Sequence, residues 1–255
     1  MKRTAAVITA VVASAAGLAR ADLLVEPELL DAHREHILLR QPGDPDSGGS
    51  RHLSFEPTWG LTSGSHGTGG GSNYRRAGGH VEYTFFKDTD GLQNAISGLG
   101  YGTSQITLVG DDSEFTSATG TSHIQMQWDV IEPVLLDLSG VVRVADILME
   151  GDGVGSAQAG VRFSGRGMNE FARLDEFTDD SLAFDWAFTL QPGRYTLEAW
   201  AYSFAFSGAS DASIRSKPEY TFAGEFTAIP SPPSLLMLAL AGISLGGRTR
   251  SCTAP

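Results

Sequence analysis

From residue 81 onward, apolar and polar residues alternate in short runs. In residues 123–130, Ile124, Met126 and Trp128 fall on one side and Gln125, Gln127 and Asp129 on the other, the two-residue period of a half-buried strand. Residues 81–86, 104–109, 134–138, 141–149, 159–163 and 219–227 are further runs of strand length, several of them rich in β-branched and aromatic residues. Gly and Asp cluster between the runs, at Gly110-Asp111-Asp112 and Gly151-Asp152-Gly153, and Ser139-Gly140 is a turn signal. Gly98, Gly100 and Gly102 alternate with no βαβ unit around them and read as a turn. The sharpest local signal is Gln191-Pro192-Gly193-Arg194. Pro192 presets φ and Gly193 supplies the positive φ of a type II turn, which predicts a hairpin pairing Leu190 with Tyr195. One face of it would hold Leu182, Phe184, Trp186, Phe188 and Leu190 against Tyr195, Leu197, Ala199, Ala201 and Ser203. The other would set Asp185, Ala187 and Thr189 against Trp200, Glu198 and Thr196. Short strands at this spacing predict an all-β fold, a β-sandwich or jelly roll over residues 81–228.

The preceding stretch is different. Residues 22–40 fit two readings: a short helix opened by Glu26-Pro27-Glu28, or a strand through His36 to Leu39. Residues 41–80 hold 11 of the chain's 31 glycines, with Ser, Thr, Asn and Pro around them. Little there can be buried, and glycine loses the most entropy on ordering. Residues 22–80 are therefore expected to form a flexible Gly-rich N-terminal arm, pinned at points by Phe55, Trp59 and Tyr74.

Both ends of the chain carry targeting patterns. Lys2 and Arg3, an apolar run and Ala19-Arg20-Ala21 form a secretory signal peptide over residues 1–21, with cleavage expected after Ala21. At the other end, Pro230-Ser231-Pro232-Pro233 breaks the chain before an uncharged apolar run, residues 234–247, closed by Arg248 and Arg250. As a helix those 14 residues reach about 21 Å at 1.5 Å each, short for a permanent membrane span and suited to a signal that is read and then processed.

These C-terminal residues resemble the PEP-CTERM sorting domain of bacterial surface proteins, in which a Pro-Glu-Pro signature precedes a transmembrane helix and an Arg-rich end. The resemblance covers residues 229–250. Ser231 stands where the signature has Glu, and the basic cluster is reduced to Arg248 and Arg250. It implies processing by an exosortase, an integral-membrane transpeptidase, and an exopolysaccharide-rich envelope or biofilm. It implies no chemistry for the β-domain.

Charge narrows the field further. The chain carries a formal −12, and loss of Lys2, Arg3 and Arg20 with the signal peptide makes the mature form more negative still. Such a surface repels nucleic acid and anionic lipid. The single cysteine, Cys252, permits no intramolecular disulfide, so burial alone must hold the fold.

Catalytic motifs are missing: there is no nucleophile elbow, P-loop or metalloprotease helix, and no cofactor is expected. His33 and His36 flank Glu35, but the sequence places no third metal ligand, and they read as a solvated face. Calcium is the one ion that the acidic turns at Asp44, Asp46, Asp88, Asp90, Asp111, Asp112 and Glu114 could hold, although Asp-Gly turns need no ion to explain them. Trp200 and Tyr202, flanked by Asp185 and Glu198 on the outer hairpin face, have the residue types that stack on and hydrogen-bond to sugars. The expected protein is an exported, non-enzymatic surface or matrix protein. A carbohydrate-binding module on that face is the alternative. A secreted hydrolase using Asp185 and Glu198 as a carboxylate pair is a further one.

Overall fold

The computed structural model describes residues 25–41, 44–52, 59–70, 73–87, 93–109, 116–175, 177 and 179–229. These form ten strands in chain order: β1 (Val25–Gln41), β2 (Asp44–His52), β3 (Trp59–Gly70), β4 (Asn73–Lys87), β5 (Gln93–Leu108), β6 (Thr116–Val130), β7 (Val134–Gly165), β8 (Met168–Leu174), β9 (Asp180–Leu190) and β10 (Gly193–Ala228). All pair antiparallel. The order is β2-β1-β6-β10-β5-β4-β3, with β7 lying along β10 and carrying β8 and β9 on its other side.

The two long strands organise everything else. Residues 193–207 of β10 pair with β6 and with the later part of β7, and residues 212–228 pair with β5 and with the earlier part. The ladder between β7 and β10 slips at Ser207/Ala212 and at Arg215/Lys217. Irregularities of this kind bend a sheet. The sheet folds over there, so that β6 and β1 come to face β5 and β4 across one interior in a nearly closed, barrel-like arrangement.

Alternation sets the two faces. Along β6 every second residue from Thr116 to Val130 is buried, and Tyr195, Leu197, Ala199, Ala201 and Ser203 are all buried on β10. Trp128, Phe163 and Phe226 meet in the larger core, with ring centroids 5.8–6.2 Å apart around Trp128. Phe188 and Tyr195 stack on Phe163 at 4.8 and 5.8 Å. A smaller core gathers Leu38, Ala77, Ile106, Ala118, Ala205 and Ile214. Buried serines lie inside as well, and they are paired: Ser104 with Ser203 at 2.5 Å, Ser203 with Ser216 at 2.6 Å, and Ser122 with the Tyr220 hydroxyl at 3.0 Å.

Several sequence expectations change here. Residues 41–80, read as a flexible arm, contribute β2, β3 and the start of β4 to the sheet. Gly98, Gly100 and Gly102 are not a turn but buried positions of β5. A side chain at Gly98 would collide with Phe222, one at Gly100 with Tyr220 and Ser122, and one at Gly102 with the backbone of Gly120 on β6. The glycines let the two halves of the sheet approach more closely than the ~10 Å of ordinary facing sheets. Ser139-Gly140 and Gly151-Asp152-Gly153 are likewise interior to β7, and Gly140 makes room for the ring of Phe184.

The expected hairpin is also absent. Leu190 pairs with Val134 of β7, and Gly193 pairs with Val130 of β6. Residues 191–192 are a corner between two strands that do not pair. Tyr195 explains why. Its hydroxyl donates to the Gln191 carbonyl at 2.8 Å and accepts from the Gln191 amide at 3.1 Å. A two-residue hairpin would need those same groups for its closing pair. The inward face holds for most of β9: Phe184 and Leu190 are buried and Trp186 and Phe188 pack on the core, but Leu182, expected on the same face, is 41% exposed near the start of the strand. The sorting segment, including Pro230, Ser231, Pro232, Pro233, Arg248 and Arg250, lies outside the described residues, as does the expected C-terminal helix. Among the described residues no helix is long and apolar enough to cross a membrane.

Candidate functional site

The outward face of β1, β6, β10 and β7 collects the chemistry. Pairing registers lay it out in rows across the strands. His33 lies opposite His123, His123 opposite Trp200, and Trp200 opposite Gly160. The next row runs Glu35, Thr121, Tyr202, Gln158, and the row on the other side runs Asp31, Gln125, Glu198, Arg162.

Trp200 is the centre of this face. Its indole lies over Gly160, where a β-carbon would collide with the six-membered ring. Having no side chain in that place lets the ring lie down on the backbone of β7 while staying partly exposed. Glu198 and Tyr202 flank it along β10, and both are partly exposed. Burial pushes the Tyr202 phenol above its ordinary pKa, so it is a neutral donor and acceptor at physiological pH.

On the β1 side the face holds a compact polar group. Asp31 Oδ2 is 2.6 Å from His33 Nδ1 and 3.0 Å from His123 Nδ1. The two imidazole centroids are 5.2 Å apart. His123 Nε2 in turn lies 3.2 Å from Glu198 Oε1. Burial works to raise the Asp31 pKa, but the hydrogen bonds and charges of His33 and His123 outweigh it and hold the carboxyl below its usual range. Asp31, His33 and His123 each offer one ligand atom, all within 4.8 Å of one another.

Asp31 reaches this face through an irregularity. The β1–β6 register shifts between Leu29 and Asp31, leaving Leu30 as an extra residue. Leu29 and Ala32 both point inward, 7% and 1% exposed, while Leu30 is 44% exposed. Without the bulge, strict alternation would send Asp31 inward with Leu29.

Of the residues singled out from sequence, Trp200, Tyr202 and Glu198 do share one face. Asp185 does not join them: it sits on β9 opposite Ser139 of β7, an exposed residue on the other half of the folded sheet. The reason is the missing hairpin. His36 makes a contact with Arg34, their nitrogens 3.1 Å apart, and does not join His33 in a common group. Asp44 and Asp46 are β2 positions, while Asp88, Asp90, Asp111, Asp112 and Glu114 lie outside the described residues. Sequence reading missed Asp31 and His123. Their one signal was His123 on the polar side of an alternating strand.

A concavity of about 500 Å³ opens on the other half, with Arg76, Tyr101, Asp146, Arg215 and Lys217 in its lining. Tyr101 is stacked on His80 at 5.1 Å, and Lys217 Nζ stands 4.9 Å from the Tyr101 ring centroid.

No protein-family model matches the chain, and no curated protein matches it. Among solved structures it is similar to TmCBM61 in complex with β-1,4-galactotriose, at 6% identity over 68% of this chain and 88% of that one, with a TM-score of 0.19. It is similar to the enzymatically active domain of bacteriophage CBA120 tailspike protein 4 at 13% identity, covering 62% of this chain and 19% of that one, TM-score 0.18. A third is the GH31 α-xylosidase of Xanthomonas citri, at 10% identity over 84% of this chain and 29% of that one, TM-score 0.17. The chain spans less than a third of the latter two. Likenesses this distant carry no argument about its activity.

Proposed function

We propose that this chain is an exported, non-enzymatic surface or matrix protein, a β-sandwich that holds a glycan on the outer face around Trp200. The observation that carries the glycan reading is the Trp200 indole laid over Gly160, with Glu198, Tyr202 and Gln158 around it in register. A flat, partly exposed indole accepts the apolar face of a sugar ring, and carboxylate, phenol and amide groups at its rim suit the equatorial hydroxyls. The export half of the proposal rests on sequence: the signal peptide of residues 1–21 and the PEP-CTERM-like segment of residues 229–250, with signal peptidase and an exosortase-type enzyme as processing partners and exopolysaccharide as ligand. Asp185 and Glu198, the carboxylate pair of the hydrolase reading, lie on strands that do not pair and on different halves of the sheet.

Retention of the mature protein on immobilised exopolysaccharide from its own host tests the glycan reading. Trp200→Ala is expected to weaken retention at least about tenfold, or ~1.4 kcal/mol, while still unfolding in one cooperative transition. Unchanged retention would overturn it. Export is tested separately by intact mass: a form from Asp22 to about Pro230 outside the cell supports processing, whereas a membrane-bound form retaining Arg250 refutes it.

A further inference from the structure

We propose that Asp31, His33 and His123 form a mononuclear site for a divalent first-row transition ion of the zinc type, with Glu198 as the outer partner of His123. Two imidazoles and one carboxylate are a donor set that zinc and its neighbours use, with the remaining positions left to water or ligand.

Three observations converge. The ligand atoms meet at one point: His33 Nδ1 and His123 Nδ1 both approach the same oxygen of Asp31, at 2.6 and 3.0 Å. They are delivered by rigid backbone, since His33 and His123 are a directly opposed cross-strand pair. The third ligand arrives only because β1 carries a bulge at Leu30, and bulges that re-aim a side chain are common at functional sites.

Glu198 supplies the rest of the argument. Its Oε1 lies 3.2 Å from His123 Nε2, within reach to accept a hydrogen bond from the tautomer that carries its proton on Nε2. In that tautomer the Nδ1 lone pair is available to a cation. With no ion bound, His123 Nδ1 and Asp31 Oδ2 share a hydrogen bond at 3.0 Å; a bound cation would take the place of that proton. A carboxylate behind a ligating histidine is also the usual second shell of zinc sites, fixing the tautomer and raising the basicity of the ligand. The same Glu198 borders Trp200 along β10, so an ion here would sit beside the aromatic platform. The metal proposal does not depend on the glycan reading.

The test is titration of the mature, metal-stripped protein with Co²⁺ and Zn²⁺ in the absence of any glycan. Cobalt reports through its visible d–d bands and zinc through calorimetry and competition for the cobalt signal. One equivalent is expected to bind and to be displaced by zinc. Asp31→Asn and His123→Gln should each weaken binding by at least about a hundredfold, and Glu198→Gln by about ten- to a hundredfold. His80→Gln, on β4, should change nothing. Circular dichroism of each variant separates loss of ligand from loss of fold. All four positions are outward-facing, and His33→Gln provides a second disruption of the same site. Absence of cobalt bands, or binding that survives His123→Gln and His33→Gln in folded protein, would overturn the proposal. Because no glycan is present, that failure would leave the Trp200 retention result standing, and failed retention would leave the metal result standing.

Discussion

Gly120→Ala is the substitution that tests how the two halves of the sheet are held together. A β-carbon at Gly120 would lie under 3.0 Å from the carbonyl oxygens of Gly78 on β4 and Thr103 on β5, and 2.7 Å from the Thr103 amide nitrogen. Ordinary contact begins near 3.4 Å, so the halves would have to part by roughly 1 Å. The obstructing atoms are backbone, already committed to ladders in which Gly78 pairs with Ser65 of β3 and with Thr103 of β5. Overpacking costs about 1–3 kcal/mol when side chains can adjust, and fixed backbone puts this case at or above the upper end. Ordering one fewer glycine returns about 0.4–1 kcal/mol through the unfolded state. The expected net loss is therefore at least ~2 kcal/mol. With a urea slope of about 1–3 kcal/mol per molar, the midpoint should fall by about 1 M. Gly224→Ala is the control, because its nearest neighbours are the side-chain carbons of Leu138, Ile96 and Leu136 at 3.0–3.3 Å, which can yield. It should cost under about 1 kcal/mol. Equilibrium urea unfolding of the two variants decides the matter. If Gly120→Ala is as stable as Gly224→Ala, close glycine-mediated approach is not what joins the halves.

Two further outcomes follow from the interior. Tyr195→Phe removes both hydrogen bonds to Gln191 and should cost about 1–2 kcal/mol, with faster amide exchange at Gln191. Stability within a few tenths of wild type would mean that the corner needs no pin. Tyr220 is fully buried, and burial raises its phenol pKa far above 10, against the smaller opposing effect of its hydrogen bond to Ser122. A raised folded-state pKa means that its contribution is complete below the unfolded value near 10 and is lost as pH climbs past it. Stability should therefore fall above about pH 10, and Tyr220→Phe should flatten that alkaline limb while leaving a constant deficit from the unpaired Ser122 hydroxyl. An identical alkaline slope in the variant would assign the loss to other groups.

How far the sequence foretold this structure depends on the range of the interaction. Burial alternates within a few residues, so β6, the inward face of β10 and that of β9 from Phe184 onward could be read directly, and with them the shared face of Glu198, Trp200 and Tyr202; Leu182 fails because the start of β9 is exposed. What a strand pairs with is a long-range choice. The Pro192-Gly193 signal suits a hairpin locally, and the competing bonds from Tyr195 settle it otherwise. Glycine misled for a related reason. In residues 41–80 and at Gly98, Gly100 and Gly102, the missing side chains looked like looseness, yet on β5 the space belongs to Phe222, Tyr220 and the β6 backbone. The Asp31–His33–His123 group was hidden by both causes. Asp31 and His123 are 92 residues apart, and a bulge that reverses the facing of Asp31 leaves no mark in the alternation of residues 22–40.

The end of β10 has a mechanical consequence. The strand is flanked by β7 up to Ala228 and on its other side by β5 up to Glu225, and Pro230 follows two residues after Ala228. A pull applied at Ala228 along the strand therefore loads two antiparallel ladders in shear, with many hydrogen bonds sharing the force together. An edge strand would instead peel open one bond at a time. Tension on the C-terminal segment would meet the two-sided ladders of residues 212–225 before it reached the Trp200 face, which is built on the earlier half of the same strand.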